Sequence, residues 1–297
     1  MANWEIVVLW LKVLLLRYTF NLIANMTIIL TTRGRYHTTL PLCLMSIINQ
    51  TRLPSKLILV DDNEIKEFES LEIYKKIKTL FIIKNIEFVY LCGESKGQTF
   101  AQQKALNIVD TEWVFSMDDD NVLENDTLEI LMKSATENTG AIGCIILKPK
   151  EENRTLIENA KIYNKIENIY SDFNIQMIKT QSPEIKKAEH LYSCYLFRKS
   201  AANNYHTEYA PAGHRSETVF TYNIFLNGWD VLVNPNTTIW HLDDDKGGNR
   251  LHVDNKNEKL FINQLIKWGV IPNKLQLFND GKITYMMKNG IKYLISV

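Results

Sequence analysis

Three short apolar runs of this chain each stop abruptly at a cluster of polar or acidic residues. Thr27-Ile28-Ile29-Leu30 runs into Thr31-Thr32-Arg33, Leu57-Ile58-Leu59-Val60 into Asp61-Asp62, and Trp113-Val114-Phe115-Ser116-Met117 into Asp118-Asp119-Asp120. Short runs rich in β-branched and aromatic side chains read as buried strands. Between them the periodicity is helical. Thr38 and Pro41 open a segment running through Leu44, Ile47 and Ile48 to Gln50, and Ile65, Phe68, Leu71, Tyr74 and Ile77 recur on one helical face. Ile86 to Leu91 predicts a further strand, Gly97 to Ile108 a helix, Leu123 to Ala135 another, and Ala141 to Leu147 a strand. Strands alternating with helices imply the α/β class, a mainly parallel sheet flanked by helices. Ligands of such sheets bind beyond the carboxyl ends of the strands. The fold alone therefore gathers Thr31 to Arg33, Asp61, Asp62 and Asp118 to Asp120 on one edge.

The triplet is the chemically demanding part of that edge. Carboxylates crowded at a strand end repel one another and call for a cation. Hard oxygen ligands suit Mg2+ or Mn2+, ions that commonly bridge a protein to a diphosphate. A solvated acidic loop, or a cap for a helix entered through Asn121 to Thr127, explains the same three letters. Taken alone, the triplet leaves both readings open.

The chain has 297 residues, 45% of them hydrophobic, enough for one large α/β domain with an appendage. Lys and Arg total 34, as do Asp and Glu, so no broad basic field indicates nucleic acid. Cys43, Cys92, Cys144 and Cys194 lie far apart without metal-ligand spacing, and are expected as reduced core residues of an intracellular protein. Lys148 to Glu189 is polar and rich in Asn and Lys, read as an insertion or lid. Residues 1–25 form a separate apolar segment. Trp4 to Ala24 is interrupted by Glu5, Lys12 and Arg17, and its longest unbroken run, Ile6 to Leu11, is far shorter than the roughly 18 residues of a spanning helix. A peripheral membrane helix over residues 4–24, a helix packed on the protein, and a translated leader before a start at Met26 all remain open. The expected location is cytoplasmic, with peripheral contact at the cytoplasmic membrane face as one option.

An ordered set of motifs makes the chain resemble the inverting glycosyltransferases of family 2, which have the GT-A fold. The set begins with Thr27-Ile28-Ile29-Leu30-Thr31-Thr32-Arg33 and continues with Leu44-x-Ser46-Ile47-x-x-Gln50-Thr51 and Leu57-Ile58-Leu59-Val60-Asp61-Asp62. It closes with Gly97 to Asp120 and Glu217 to His241. The resemblance implies a Rossmann-like GT-A glycosyltransferase domain over residues 26–245, with 246–297 as a loop, helix and hairpin extension turning around Asn279-Asp280-Gly281.

It also implies a reaction: transfer of a sugar from a nucleoside-diphosphate sugar, UDP-sugar favoured, to a hydroxyl of a glycan, lipid-linked saccharide or other acceptor. By the resemblance Thr31, Thr32 and Arg33 face the nucleotide, Asp61 and Asp62 reach base or ribose, and Gly97 opens a donor-side helix. Asp118 and Asp120 match the two acids of the DxD motif, with Asp120 as the direct metal ligand and Asp118 on ribose or metal-bound water. Asp119 is the intervening position, and Mn2+ or Mg2+ is the implied cofactor. His241, ending Pro235-x-x-x-Ile239-Trp240-His241, supplies a further ligand or holds the diphosphate. The catalytic base falls on Glu217, although the chain carries Ser216-Glu217 where the family has Glu-Asp. Gln102-Gln103 stand where family members often have Arg-Asn. Lys246 and Arg250 belong to a stretch resembling the mobile loop that closes over the donor, and a plain polar turn reads equally well. Two other functions compete: a nucleotidyltransferase, and a non-catalytic nucleotide-sugar or glycan-binding protein of the same fold.

Overall fold

The computed structural model describes residues 25–149, 155–156, 162–169, 179–180, 183–211, 213–244, 247, 255–270, 277–279, 284–288 and 291–296. The apolar segment over 1–24, most of the polar stretch after Lys148, and both Lys246 and Arg250 lie outside the described residues.

The first half of the chain alternates as expected. Strand β1 (Met26–Thr32) leads to α1 (Leu40–Ile48), β2 (Lys56–Asp61) to α2 (Glu72–Ile83), and β3 (Glu87–Cys92) to α3 (Gln98–Asn107). Next come β4 (Trp113–Asp118), β5 (Asn121–Leu123), α4 (Thr127–Ser134) and β6 (Thr139–Leu147). Short strands β7 (Thr155–Leu156), β8 (Ile162–Tyr163), β9 (Lys179–Thr180) and β10 (Lys186–Ala188) precede β11 (Tyr195–Arg198). The chain then forms α5 (Ser216–Leu226), β12 (Asp230–His241), α6 (Asn255–Lys267) and a separate antiparallel sheet of β13 (Leu277–Asn279), β14 (Thr284–Lys288) and β15 (Ile291–Ser296).

The main sheet runs in the order β3-β2-β1-β4-β11-β6-β12-β10-β8, with β5 attached to β12. It is parallel from β3 through β4, while β11 lies antiparallel between β4 and β6. Alternation along the strands splits the core in two. Ile28, Leu30, Leu57, Leu59, Phe115 and Met117 pack with Leu44, Ile47, Tyr74, Phe81 and Leu131 from α1, α2 and α4. Ile29, Ile58, Val60 and Val114 face the other way, toward Ala101, Ala105, Phe220 and Ile224 of α3 and α5. Burying each large side chain contributes about 1.5–3 kcal/mol, so both faces of β1 and β2 are needed to hold the sheet. The outer side of α5, through Val219 and Tyr222, packs on Phe261, Ile262 and Leu265 of α6.

Three expectations need correction. The helix expected from Ile65 starts at Glu72: Ile65 is exposed, and Phe68 reaches the core from a turn by stacking on Tyr74 and Tyr90, at 4.4 and 4.9 Å. The helix expected from Leu123 starts at Thr127, because Asn121 to Leu123 pair with β12 instead. Cys43, Cys144 and Cys194 are buried as expected, but Cys92, at the end of edge strand β3, is exposed. Among the described residues no helix is long and apolar enough to cross a membrane.

Candidate active site

Parallel pairing brings the polar strand ends into register. Thr31 aligns with Val60 and with Asp118, and Thr32 with Asp61. A cleft of about 440 Å3 opens there, walled by Thr31, Thr32, Arg33, Arg35, Asp62, Gly97, Gln98 and the triplet Asp118 to Asp120. Pro211, His214, His241 and Gly247 close its other side.

The acidic pair after β2 divides between two jobs. Asp61 is fully buried and its carboxylate is consumed internally, accepting from Tyr36, from Tyr90 at 2.7 Å, and from the backbone and side chain of Asn63. It does not line the cleft. Asp62 does, and its Oδ2 accepts the Gly97 N–H at 2.8 Å. The buried Asp62 Oδ1 has no hydrogen-bond partner among the described residues. An acceptor left unsatisfied out of water costs about 1–3 kcal/mol, which a donor group on a ligand would recover. Gly97 is required for this contact. It sits at φ +109°, and a Cβ there would run into the Pro211 backbone.

The triplet is arranged residue by residue. Gln98 Nε2 donates to Asp118 Oδ1 at 2.8 Å, and Ser193 donates to Asp118 Oδ2. Asp119 accepts from Thr32 Oγ1 at 2.7 Å, from the Arg33 N–H at 3.2 Å and from Arg35 Nη1 at 2.5 Å. Asp120 Oδ2 lies 2.9 Å from Arg35 Nη2 and 3.3 Å from His241 Nε2. His241 arrives there because β12 pairs with β5, placing His241 opposite Asn121, and Leu242 N–H donates to the Asp120 carbonyl at 2.8 Å. The residues before β2 support this strap. Ser46 Oγ accepts the Leu123 N–H, and Gln50 joins the Glu124 carbonyl to the Leu128 N–H at the start of α4.

Crowding of charge shows in the titration behaviour. Burial, then the neighbouring Asp120 charge, raises the Asp118 pKa above its usual range. Burial also pushes Asp119 up to about 6 despite Arg35 and Thr32. Burial alone would lower the Arg35 pKa, but Asp119 and Asp120 outweigh it and raise it. The hydrogen bond to Asp120 raises His241. Glu217, half-buried in the first turn of α5, is outside the cleft lining. Burial and the Asp118 charge push its carboxyl up to about 8.

Carboxylates and an imidazole are the right donor types for Mg2+ or Mn2+. Among the described residues, no group of three or more His, Cys, Asp or Glu side chains is placed to hold a metal ion. That count still fits these ions, which are usually held by one or two carboxylates plus substrate phosphates and water rather than by an all-protein cage.

The structure thus brings together Thr31, Thr32, Arg33, Asp62, Gly97, Asp118, Asp119, Asp120 and His241, and leaves Asp61 and Glu217 off the cleft wall. Sequence reading missed Arg35, Gln98, Ser193 and His214. A buried triplet of acids requires a nearby cation, and Arg35, two residues after Arg33 in the same loop, was the signal available.

The profile of Glycosyl transferase family 2 matches residues 27–205. No curated protein matches the chain. Among solved structures, GalNAc-T7 with UDP, GalNAc and Mn2+ is similar in fold with a TM-score of 0.54 at 12% identity, over 73% of this chain and 44% of that one. S. aureus TarS, residues 1–349, gives 0.51 at 15% identity, over 82% and 72%. The mannosyltransferase PcManGT from Pyrobaculum calidifontis, in complex with GDP-Man and Mn2+, gives 0.51 at 15%, over 75% and 58%. The chain spans less than half of the GalNAc-T7 chain it matches.

Proposed function

The chain belongs to glycosyl transferase family 2, and on that premise we propose that it is an inverting, metal-dependent transferase. It would move a sugar from a nucleoside-diphosphate sugar, UDP-sugar favoured, to a hydroxyl of a glycan, lipid-linked saccharide or other acceptor. The observation that carries this reading is the convergence of the loop after β1, Asp62, the acidic triplet and His241 on one cleft. The Mn2+ and nucleotides seen in the complexes of GalNAc-T7 and PcManGT support it.

Each residue has a distinct task in this account. Thr31, Thr32 and Arg33 wall the nucleoside end, and the unsatisfied Asp62 Oδ1 accepts a hydrogen bond from base or ribose. Asp120, with His241 beside it, would hold a divalent ion on the diphosphate, and Asp118 would take ribose or metal-bound water. When bound, that ion supplies electrostatic stabilisation of the departing diphosphate. Lys246 and Arg250, outside the described residues, would add positive charge from the following loop. Glu217 acts as the base: the acceptor oxygen attacks the anomeric carbon, its proton passes to the Glu217 carboxylate, and the bond to the diphosphate oxygen breaks. A carboxylate with a raised pKa is a stronger base than one in water, which suits this task near neutral pH.

A screen of nucleoside-diphosphate sugars tests the reading, scored for binding and slow donor hydrolysis with Mn2+, Mg2+ or EDTA. One donor should bind or turn over with metal and fail with EDTA. Metal-independent binding without turnover in the presence of acceptors would favour a binding protein.

A further inference from the structure

We infer that Arg35 is a positioning residue, a built-in counter-cation of the acidic triplet that makes capture of a divalent cation conditional on the nucleotide. The inference rests on the nucleotide-sugar reading above. It stands on geometry that the reading does not use.

Arg35 is over nine-tenths buried, and its two terminal nitrogens are divided between the two carboxylates, Nη1 on Asp119 Oδ1 and Nη2 on Asp120 Oδ2. Both carboxylates are more buried still. Asp120 Oδ2 is thereby occupied by Arg35 and His241. A cation arriving alone must displace a guanidinium that never deprotonates in a protein. The buried Arg35 Nε makes no hydrogen bond among the described residues and faces the segment after β12, 3.9 Å from Asp244 Oδ2 and against Gly247. The guanidinium thus lines the cleft while every carboxylate near it, Asp119, Asp120 and Asp244, belongs to the protein. An arriving diphosphate, itself a bidentate acceptor for a guanidinium, can draw Arg35 off the carboxylates, releasing Asp120 for the cation.

The segment after β12 frames this exchange. Arg35 Nη2 also donates to the Asp244 carbonyl at 3.2 Å, and Thr38 donates to the Asp244 carboxylate. Gly247 passes so close that a Cβ on it would strike the Arg35 side chain. Movement of Arg35 is consequently coupled to Asp244 and Gly247.

The test is calorimetric titration of Mn2+ into the full chain, without nucleotide and with saturating UDP or GDP. The wild type should bind Mn2+ weakly alone and at least about tenfold more tightly with the nucleotide, a coupling within the usual range. Arg35→Met should bind Mn2+ alone about tenfold more tightly than wild type and lose most of the nucleotide effect, while Arg35→Lys should lie between. Removing Arg35 leaves two buried acids unpaired and threatens folding, so Arg35→Met/Asp119→Asn provides a charge-compensated partner with the same expected tightening. Equal Mn2+ affinity of the wild type with and without a nucleotide that itself binds overturns the inference, as does no tightening in any variant. Failure of every nucleotide to bind would sink the transferase reading, yet tighter Mn2+ binding by the Met variants would still establish Arg35 as the counter-cation.

Discussion

His241 Nε2 stands 3.3 Å from Asp120 Oδ2, although the two residues are 121 positions apart in the sequence. Three residues of β5 achieve this by pairing with the end of β12. If the pair holds metal, Asp120→Asn should abolish metal-dependent donor binding and lower turnover by at least about 100-fold. His241→Ala should cost about 10–100-fold, the usual scale for a residue supporting a metal ligand. Turnover titrated against Mn2+ concentration separates the two effects.

Glu217 is the residue on which rate should depend most sharply with pH. A base works when deprotonated, and with its pKa pushed up to about 8 the active fraction grows as pH rises through that value. A cation bound beside Asp118 would pull the limb lower by offsetting the second cause of the shift. Glu217→Gln should remove this limb and nearly all turnover while donor affinity stays within about threefold, a split that mutant kinetics resolves directly.

Gly97 couples backbone shape to nucleotide binding. Its positive φ and contact with Pro211 leave no place for a side chain, while its N–H holds Asp62. Gly97→Ala should destabilise the fold by about 1–3 kcal/mol and weaken nucleotide binding, as measured by urea unfolding and calorimetry.

Below the cleft, Glu258 is almost fully buried between Arg215 Nε at 2.9 Å and His214 Nε2 at 2.7 Å. Burial alone would raise its pKa, but the His214 hydrogen bond and Arg215 charge prevail and lower it. A depressed acid contributes stability that is complete above its unfolded pKa, near 4.5, and is lost as pH falls through the folded value. Glu258→Gln should cost about 3–5 kcal/mol at neutral pH, because Arg215 loses its charge partner. Its unfolding midpoint should then fall less steeply than that of the wild type on acidification, as followed by urea melts.

Much of this site was legible because strand ends in a parallel sheet share one edge, and Thr31 and Asp118 do align there. The division between Asp61 and Asp62 was legible too, in principle: adjacent residues leaving a strand face opposite sides, so only one could reach the cleft. Gln98, Ser193 and His214 were hidden because nothing in their local sequence marks them; tertiary packing alone brings them to Asp118 or the cleft wall. The start of α4 was misplaced because Val122 and Leu123 suit a helix as well as a strand, and only the distant β12 decides between them.

The most direct test of the central claim is binding of UDP-sugars and GDP-sugars to the full chain, wild type against Asp120→Asn, with Mn2+ and with EDTA. The account predicts that one donor binds the wild type with Mn2+, loses at least about tenfold in affinity with EDTA, and shows the same loss in Asp120→Asn with Mn2+. Donor binding that is unchanged by both EDTA and the substitution would contradict it.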